Sequence, residues 1–174
     1  MKTLCAVITI FNNAATLSKC LEGLQFCDEI IVLDSDSTDA TRDIAAQYRA
    51  KIFIEAFKGY GPQKQSAIDK PSSDWILLLD ADEFIDVAAA EVIRKAISLD
   101  SADGYRLPRR EWLFWQWPHL STRPNWQLCL FRKSKAAMNY VPVHAAPKVQ
   151  GRVENLSLNF YHFGEKDLAK KLKR

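Results

Sequence analysis

Three carboxylates follow a short apolar run near the middle of the chain. Residues 75–79 are apolar, and Asp80, Asp82 and Glu83 come directly after them. The run is too short for a buried helix, so it predicts a central strand that is covered on both faces. Alternate side chains at a strand end point the same way, so Asp80 and Asp82 are predicted to face one point. Two such carboxylates suit a hard divalent cation that keeps coordination positions free for phosphate oxygens.

A plainer interpretation of these acids stays open at this point. They could simply end the strand and cap the helix that is predicted to begin near Asp86. A D-x-D pattern is too short to decide between the two interpretations. The elements that surround it must decide.

The chain before Asp80 alternates between predicted strands and predicted helices. Strands are predicted at 4–11, 29–33, 51–54 and 75–79, and helices at about 17–24, 40–48 and 63–69. This alternation is typical of a parallel sheet with helices on both faces. In such sheets, ligands bind beyond the carboxyl ends of the strands.

Polar side chains gather at the predicted carboxyl ends of these strands. They are Thr9, Asn12, Asp34, Asp36, Asp80 and Asp82. Six polar residues at the carboxyl ends of predicted strands favour a ligand site over simple strand termination. Lys64, near a predicted helix start, adds a cation beside free backbone N–H groups, which suits a phosphate.

The second half of the chain is rich in arginine and aromatic residues. After a predicted helix at 87–99, four of the five tryptophans lie within 112–126: Trp112, Trp115, Trp117 and Trp126. Two prolines interrupt this segment, which predicts a long ordered loop. Its indole rings could stack on sugar rings or nucleobases, or could simply cap the sheet. Further strands are predicted at 127–131 and 157–161, in a mixed or antiparallel part of the sheet.

The composition is that of one globular domain. The 174 residues are 48% hydrophobic and 26% charged, and the net charge of +3 gives no general argument for a nucleic-acid partner. The basic segment 166–174 either ends a solvated helix or contacts an anionic membrane. No apolar segment approaches the ~20 residues of a membrane span, and no signal peptide is evident. We therefore expect a cytoplasmic protein, with peripheral contact with the inner membrane surface as an option.

Four motifs, in this order along the chain, resemble those of the family-2 glycosyltransferases. They lie at 8–12, 29–41, 59–67 and 74–83. More narrowly, the chain is similar to the small bacterial branch that adds glucose or related sugars to the lipopolysaccharide core. The resemblance implies a single α/β domain with the Rossmann-like GT-A fold, a mixed sheet flanked by helices. It also implies a nucleotide-sugar-binding half at 1–100, an acceptor-side half at 101–174, and a C-terminus shorter than that of its relatives.

The resemblance implies that one set of residues contacts a UDP-sugar donor. The set is Thr9, Phe11, Asn12, Asp34, Ser35, Gln63, Lys64, Asp80, Ala81 and Asp82. Thr9, Phe11 and Asn12 would lie by the uracil and its ribose, with Phe11 stacked on the base, and Asp34 would accept a uracil N–H. Gln63 and Lys64 would approach the diphosphate. Asp80 and Asp82 would hold the ribose and a Mg²⁺ or Mn²⁺ ion, which stabilises the departing nucleoside diphosphate.

The acceptor side departs from the family pattern. An inverting transfer needs a base that takes the proton of the acceptor hydroxyl. This chain has the neutral residues Asn125 and Ala145 where the family pattern has carboxylates. Glu111, Glu83 or His144 is therefore expected to serve as the base, or else transfer is slow or absent.

Two functions of different classes follow from this reasoning. The first is an inverting, metal-dependent glycosyltransferase that moves a sugar, expected to be glucose, from a UDP-sugar to a saccharide or glycolipid. Its acceptor would lie against the tryptophans of 112–126, as in lipopolysaccharide core synthesis. The second is a catalytically silent relative that binds the nucleotide sugar or a glycan. A nucleotidyltransferase is disfavoured, because no glycine-rich basic loop follows the first predicted strand.

Overall fold

The computed structural model describes residues 2–112, 123–139, 141, 145–158 and 160–163. The helices are α1 (Leu17–Glu22), α2 (Thr41–Gln47), α3 (Tyr60–Asp69) and α4 (Ala88–Leu99), with a 3-10 turn at Lys133–Lys135. The strands are β1 (Leu4–Ile10), β2 (Glu29–Asp34), β3 (Lys51–Ile54), β4 (Trp75–Asp80), β5 (Glu83–Ile85), β6 (Gly104–Glu111), β7 (Asn125–Arg132), β8 (Ala136–Met138), β9 (Pro147–Val149), β10 (Val153–Asn155) and β11 (Phe160–His162). None of the helices formed by these residues has the length and apolar character that a bilayer crossing requires.

Nine of the described strands form one mixed sheet. Its order is β3-β2-β1-β4-β7-β6-β11-β5, and β10 pairs with β6. The first four strands are parallel to one another, whereas β7 runs antiparallel to both β4 and β6. The predicted α/β architecture, a mixed sheet flanked by helices, is confirmed.

Helices cover both faces of the central strands. Leu4 and Ile8 of β1 pack with α1 and α4 on one face, whereas Cys5 and Val7 pack with α3 on the other. A strand that is buried on both faces needs apolar residues at every position, because neither face meets water. The continuous apolar runs of the sequence reflect this arrangement.

The element boundaries differ from the prediction in informative places. Strands β1 to β4 begin and end within one residue of their predicted limits. Helix α3 begins at Tyr60 rather than at Gln63, directly after Gly59, whose φ of 100° is a conformation that favours glycine. Strands β5, β6, β8, β9 and β10 were not predicted. The predicted loop at 112–126 is shorter, because β7 begins at Asn125, and its residues 113–122 lie outside the described part.

The hairpin of β8 and β9 packs closely against the start of α3. A Cβ atom at Gly61 would lie 2.5 Å from the carbonyl oxygen of Asn139, so only glycine permits this approach. Gln65 of α3 accepts a hydrogen bond from the Met138 N–H at 2.8 Å. These contacts hold the β8–β9 hairpin, and with it Ala145, beside the first turn of α3.

Candidate functional site

A cleft of about 290 Å³ opens at the carboxyl ends of β1, β2 and β4. This is the edge that the predicted sheet topology assigns to a ligand. The cleft is lined by Thr9, Ile10, Phe11, Asn13, Ser35, Phe57, Tyr60, Gln63, Lys64, Asp80, Ala81, Asp82 and His162. Most of the predicted donor-site residues therefore meet in one place. Asn13, Phe57, Tyr60 and His162 were not among the predicted residues.

Asp80 and Asp82 lie at the same end of the cleft but have different partners. Strand β4 ends at Asp80, and Asp82 lies in the turn that follows, so the strand-alternation argument does not apply to this pair. Asp80 Oδ1 lies 2.6 Å from Lys64 Nζ. Asp82 Oδ2 lies 3.2 Å from His162 Nε2. Each of the two carboxylates thus has a basic partner of its own, and their convergence on one cation stays a prediction.

His162 is the functional candidate that sequence reasoning missed. It ends β11, which the sheet places between β6 and β5. Burial lowers the pKa of His162, but the hydrogen bond and the charge of Asp82 together outweigh this effect. The net pKa of His162 is therefore above its ordinary value. No motif around His162 indicates this contact, because it depends on the order of distant strands.

The donor atoms at this end of the cleft fit a divalent cation shared with a ligand. The described residues contain no group of three His, Cys, Asp or Glu side chains that could hold a metal by themselves. Asp82 and His162 offer one oxygen and one nitrogen at 3.2 Å, and both side chains are partly exposed. A cation held by two protein atoms keeps positions for phosphate oxygens. The imidazole nitrogen makes the pair a better fit for Mn²⁺ than for Mg²⁺, which prefers oxygen ligands.

Lys64 supplies positive charge beside this pair of residues. It lies in the first turns of α3, and its side chain is 17% exposed. Burial lowers the pKa of Lys64, but the effect of the adjacent Asp80 carboxylate is larger and opposite. The net pKa of Lys64 is therefore raised, and the ammonium group stays charged. The phosphate-binding role predicted for Lys64 is compatible with this position.

Asn12 and Asp34 are not among the residues that line the cleft. The Asp34 carboxylate is fully buried and accepts the Ser37 N–H at 3.1 and 3.2 Å. The Asn12 N–H donates to Ser37 Oγ at 2.9 Å, and its side-chain oxygen accepts the Thr38 N–H at 2.9 Å. These hydrogen bonds fix the loops that follow β1 and β2, and the contacts of both residues with a base stay a prediction.

A chain of polar contacts leads from the Asp80 turn to β6 and β7. The Asp80 N–H donates to Glu83 Oε2 at 2.9 Å, and Arg109 Nη1 donates to Glu83 Oε1 at 2.8 Å. Arg109 Nη2 donates to Glu111 Oε1 at 2.8 Å, and Asn125 Nδ2 donates to the same oxygen at 3.2 Å. The turn at the end of β4 is thus connected through β5 and β6 to β7.

The three predicted base candidates differ in their placement. Glu83 is buried and does not line the cleft. Glu111 is not among the residues that line the cleft either, but it is partly exposed and lies directly beside His162, a lining residue, in the pairing of β6 with β11. Burial raises the pKa of Glu111, but the hydrogen bonds from Arg109 and Asn125 together outweigh this effect. The net pKa of Glu111 is therefore lowered, and the carboxylate stays ionised. His144 lies outside the described residues.

Glu83→Gln is expected to change the pH dependence of stability. Burial and the charge of Asp80 raise the pKa of Glu83 from 4.5 to about 7, against the opposing effect of Arg109. An acid with a raised folded pKa contributes stability below its unfolded pKa that is lost as pH rises through the folded pKa. Glutamine does not titrate, so the unfolding free energy of the variant should rise relative to wild type by on the order of 2 kcal/mol between pH 5 and pH 8.

Urea denaturation of both proteins at pH 5 and pH 8 measures this change. Glu91→Gln, on the exposed side of α4, is the matched control and should show no such pH dependence. An equal difference between Glu83→Gln and wild type at both pH values would contradict the prediction.

Two of the predicted acceptor tryptophans belong to the described residues. The Trp112 backbone N–H donates to the His162 carbonyl at 2.9 Å, which places Trp112 next to the charged end of the cleft. Trp126, in β7, is partly buried and pairs with Pro108 of β6. Trp115 and Trp117 lie outside the described residues.

Sequence comparisons give a family match and several named relatives. Residues 5–150 match the family model described as Glycosyl transferase family 2. The chain is 32% identical to the Rhizobium meliloti (strain 1021) protein named lipopolysaccharide core biosynthesis glycosyltransferase LpsC, over 87% of this chain and 59% of that protein. It is 35% identical to a Rickettsia felis protein named uncharacterized glycosyltransferase, over 60% of this chain and 38% of that protein. The chain thus spans less than two thirds of the length of these relatives.

Structural comparisons identify the fold as GT-A. S. aureus TarS 1-349 in complex with UDP-GlcNAc superposes with a TM-score of 0.70 at 15% identity, over 95% of this chain and 59% of that chain. Glucosyl-3-phosphoglycerate synthase from Mycobacterium tuberculosis, in complex with Mn²⁺, UDP and glucosyl-3-phosphoglycerate, gives 0.66 at 15% identity, over 99% and 75% of the two chains.

Proposed function

Because this chain belongs to glycosyl transferase family 2, we propose that it transfers a sugar from a UDP-sugar to a hydroxyl group of a saccharide or glycolipid. The transfer proceeds with inversion and depends on Mn²⁺ or Mg²⁺. The observation that carries the proposal is the cleft at the carboxyl ends of β1, β2 and β4, which is lined both by aromatic rings and by a pair of potential metal ligands.

The two ends of the cleft suit the two ends of a nucleoside diphosphate. Phe11, Phe57 and Ser35 come from the loops after β1, β3 and β2, on one side of the sheet. Asp82 and His162 come from the other side, beyond β4 and on β11. A planar base binds at aromatic rings, and a diphosphate binds where a cation and an ammonium group offset its charge. The donor therefore lies with its base near Phe11 and its phosphates near Asp82.

Asp82 and His162 are the residues that would hold the cation. When bound, the cation offsets the negative charge that collects on the departing diphosphate. Lys64 adds a second positive group at the same end, and Asp80 fixes its position through their ion pair. The side chains of this end therefore orient the diphosphate and favour its departure.

Glu111 is the residue that takes the acceptor proton. The acceptor oxygen attacks the anomeric carbon, the bond from that carbon to the diphosphate oxygen breaks, and the hydroxyl proton passes to the Glu111 carboxylate. Arg109 and Asn125 hold Glu111 in its ionised form, as a base requires. Its neighbour His162 places it beside the charged end of the cleft, where the sugar is attached.

The names of the similar proteins support the two substrates. Two solved structures of similar fold hold UDP or UDP-GlcNAc, and a third holds UDP-glucose with Mn²⁺, which supports a UDP-sugar donor. The relative named for lipopolysaccharide core biosynthesis supports a saccharide or glycolipid acceptor at an envelope surface. Glucose is the sugar we expect on the donor.

Calorimetric titration with UDP, with and without Mn²⁺, tests the donor half of this proposal. We expect UDP to bind more tightly when Mn²⁺ is present. A second assay measures UDP release from UDP-glucose and from UDP-GlcNAc. UDP binding without UDP release from either UDP-sugar would favour the alternative, a catalytically silent relative. The observation that favours this alternative is that Asn125 and Ala145 are neutral. No binding of UDP would exclude both.

A further inference from the structure

A smaller cavity adjoins the cleft behind the ion pair of Lys64 and Asp80. It measures about 60 Å³, and both members of the ion pair line it as well as the cleft. Strands β4 and β7 pair as far as Leu77, whereas Leu78 and Leu79 line the cavity. The two strands therefore diverge toward the edge of the sheet that carries the cleft, and the cavity lies where they separate.

Other residues that line this cavity are connected to the proposed base. Arg109 and Gln127 belong to the lining. Arg109 Nη2 donates to Glu111 Oε1 at 2.8 Å, and Gln127 Nε2 donates to Asn125 Oδ1 at 2.7 Å. Asn125 in turn donates to the same Glu111 oxygen at 3.2 Å. The cavity is thus lined both by residues proposed for the diphosphate and by residues that hold the base.

This is the place that the transferred sugar occupies in the proposed reaction. The anomeric carbon has to lie between the departing diphosphate and the group that takes the acceptor proton. With the diphosphate at Lys64 and the base at Glu111, the sugar ring lies beside the cavity. A substituent of the ring can then enter it.

The size and the apolar lining of the cavity select the kind of substituent. One water molecule needs about 10–15 Å³ of such space, so a cavity of about 60 Å³ takes a group of a few atoms and not a sugar ring. Leu79, Ala145 and Phe160 give part of the lining an apolar character that suits a methylene group. Because Ala145 contributes a single methyl group, a larger side chain at this position would occupy the space.

The polar lining offers a hydrogen-bond donor. Arg109 Nε is buried, and within the described residues it has no hydrogen-bond partner. A buried N–H without a partner costs free energy, and a hydroxyl oxygen in the cavity would satisfy it. Among the described lining residues, the carboxylates of Asp80 and Glu83 pair with Lys64 and Arg109. The charges of the lining are therefore balanced, and a neutral hydroxyl fits better than a carboxylate.

We propose that this cavity receives the exocyclic hydroxymethyl group of the transferred hexose and that Ala145 sets the size of the group admitted. The inference rests on the proposed function and adds the residues that select the sugar. The methylene group packs against Leu79 and Ala145, and the hydroxyl oxygen accepts from Arg109 Nε. The substrate class is a UDP-hexose with a neutral hydroxymethyl group, and not a UDP-pentose or a UDP-hexuronic acid.

Calorimetry in the presence of Mn²⁺ with three UDP-sugars tests this inference. UDP-glucose carries the hydroxymethyl group, UDP-xylose lacks it, and UDP-glucuronic acid has a carboxylate in its place. The wild type should bind UDP-glucose about 5- to 50-fold more tightly than either of the other two, which corresponds to one buried methylene group and one hydrogen bond.

Ala145→Leu fills the cavity and should abolish this preference. The affinities for UDP-glucose and UDP-xylose should then agree within about 2-fold, and the affinity for UDP, which has no sugar, should stay within about 2-fold of wild type. Ala137→Leu makes the same change at an exposed position of the same hairpin, outside the cavity, and should keep the full preference. Ala145→Val replaces Ala145→Leu if that variant unfolds, and it should lower the preference at least about 2-fold.

Each outcome decides the inference. A preference for UDP-glucose that is lost in Ala145→Leu but kept in Ala137→Leu supports it. Equal binding of UDP-glucose and UDP-xylose by the wild type overturns it, as does a preference that survives in Ala145→Leu. An equal loss of UDP affinity in Ala145→Leu also overturns it, because the change would then act on the whole nucleotide site.

The carboxylate probe and UDP itself complete the test. Tighter binding of UDP-glucuronic acid than of UDP-glucose overturns the inference, since a charged group would then fit the cavity. In all of these cases, Mn²⁺-dependent UDP binding by the wild type would still support the proposed function. A wild-type chain that does not bind UDP overturns both proposals.

Discussion

Asp82→Asn is expected to lower Mn²⁺-dependent UDP release from a UDP-sugar about 10²- to 10³-fold. In the proposed site the Asp82 carboxylate is a ligand of the cation, and an amide oxygen is a weaker ligand that carries no charge. His162→Ala removes the partner nitrogen and should have an effect of similar size. The measurement is the initial rate of UDP release across a Mn²⁺ titration.

Asp80→Asn distinguishes the role of Asp80 from the role of Asp82. Asp80 forms its ion pair with Lys64, so its loss should weaken UDP binding but leave the dependence on Mn²⁺ concentration in place. Asp43→Asn, an exposed acid on α2, is the matched control and should behave as wild type. An unchanged Mn²⁺ dependence in both Asp82→Asn and His162→Ala would contradict the assignment of these residues as ligands.

The central strands could be predicted because their signal is local. Each of β1, β2 and β4 is a continuous apolar run, and a polar residue follows each run at the edge where a ligand binds. These apolar runs, each followed by a polar residue, therefore predicted which edge of the sheet carries the cleft. It could not show which polar side chain faces the cleft, since adjacent residues point to opposite sides. That is why the predicted donor set contains both Asp34 and Ser35, whereas only Ser35 of the two lines the cleft.

The contacts of His162 and Arg109 could not be predicted, because they depend on the order of distant strands. β11 pairs with β6 and β5, and β6 pairs with β7, although long stretches of chain separate them. The partners of an isolated histidine or arginine are set by this order and register, and a short motif contains neither. The sequence did single out Glu83 and Glu111 as acids, and the structure adds the guanidinium that connects them.

Glu111→Gln is expected to lower sugar transfer to a saccharide acceptor about 10²- to 10⁴-fold while UDP binding in the presence of Mn²⁺ stays within about 2-fold of wild type. Glutamine retains the shape of the side chain and an oxygen that can accept from Arg109 and Asn125, but it cannot take a proton. The loss should therefore fall on the transfer step and not on donor affinity. The measurement compares transfer from UDP-glucose to lipopolysaccharide core oligosaccharide with calorimetric UDP binding.

Glu91→Gln makes the same chemical change at an exposed position of α4, so both activities should be unchanged. Asn125→Asp tests the same region in the opposite direction. It adds a carboxylate next to Glu111, and two adjacent carboxylates raise the pKa of one of them. If Glu111 is the base, the pH at which transfer reaches half of its maximum should move upward in Asn125→Asp. Wild-type transfer by Glu111→Gln would show that the proton goes to another group, and the assignment of the base to β6 would be wrong.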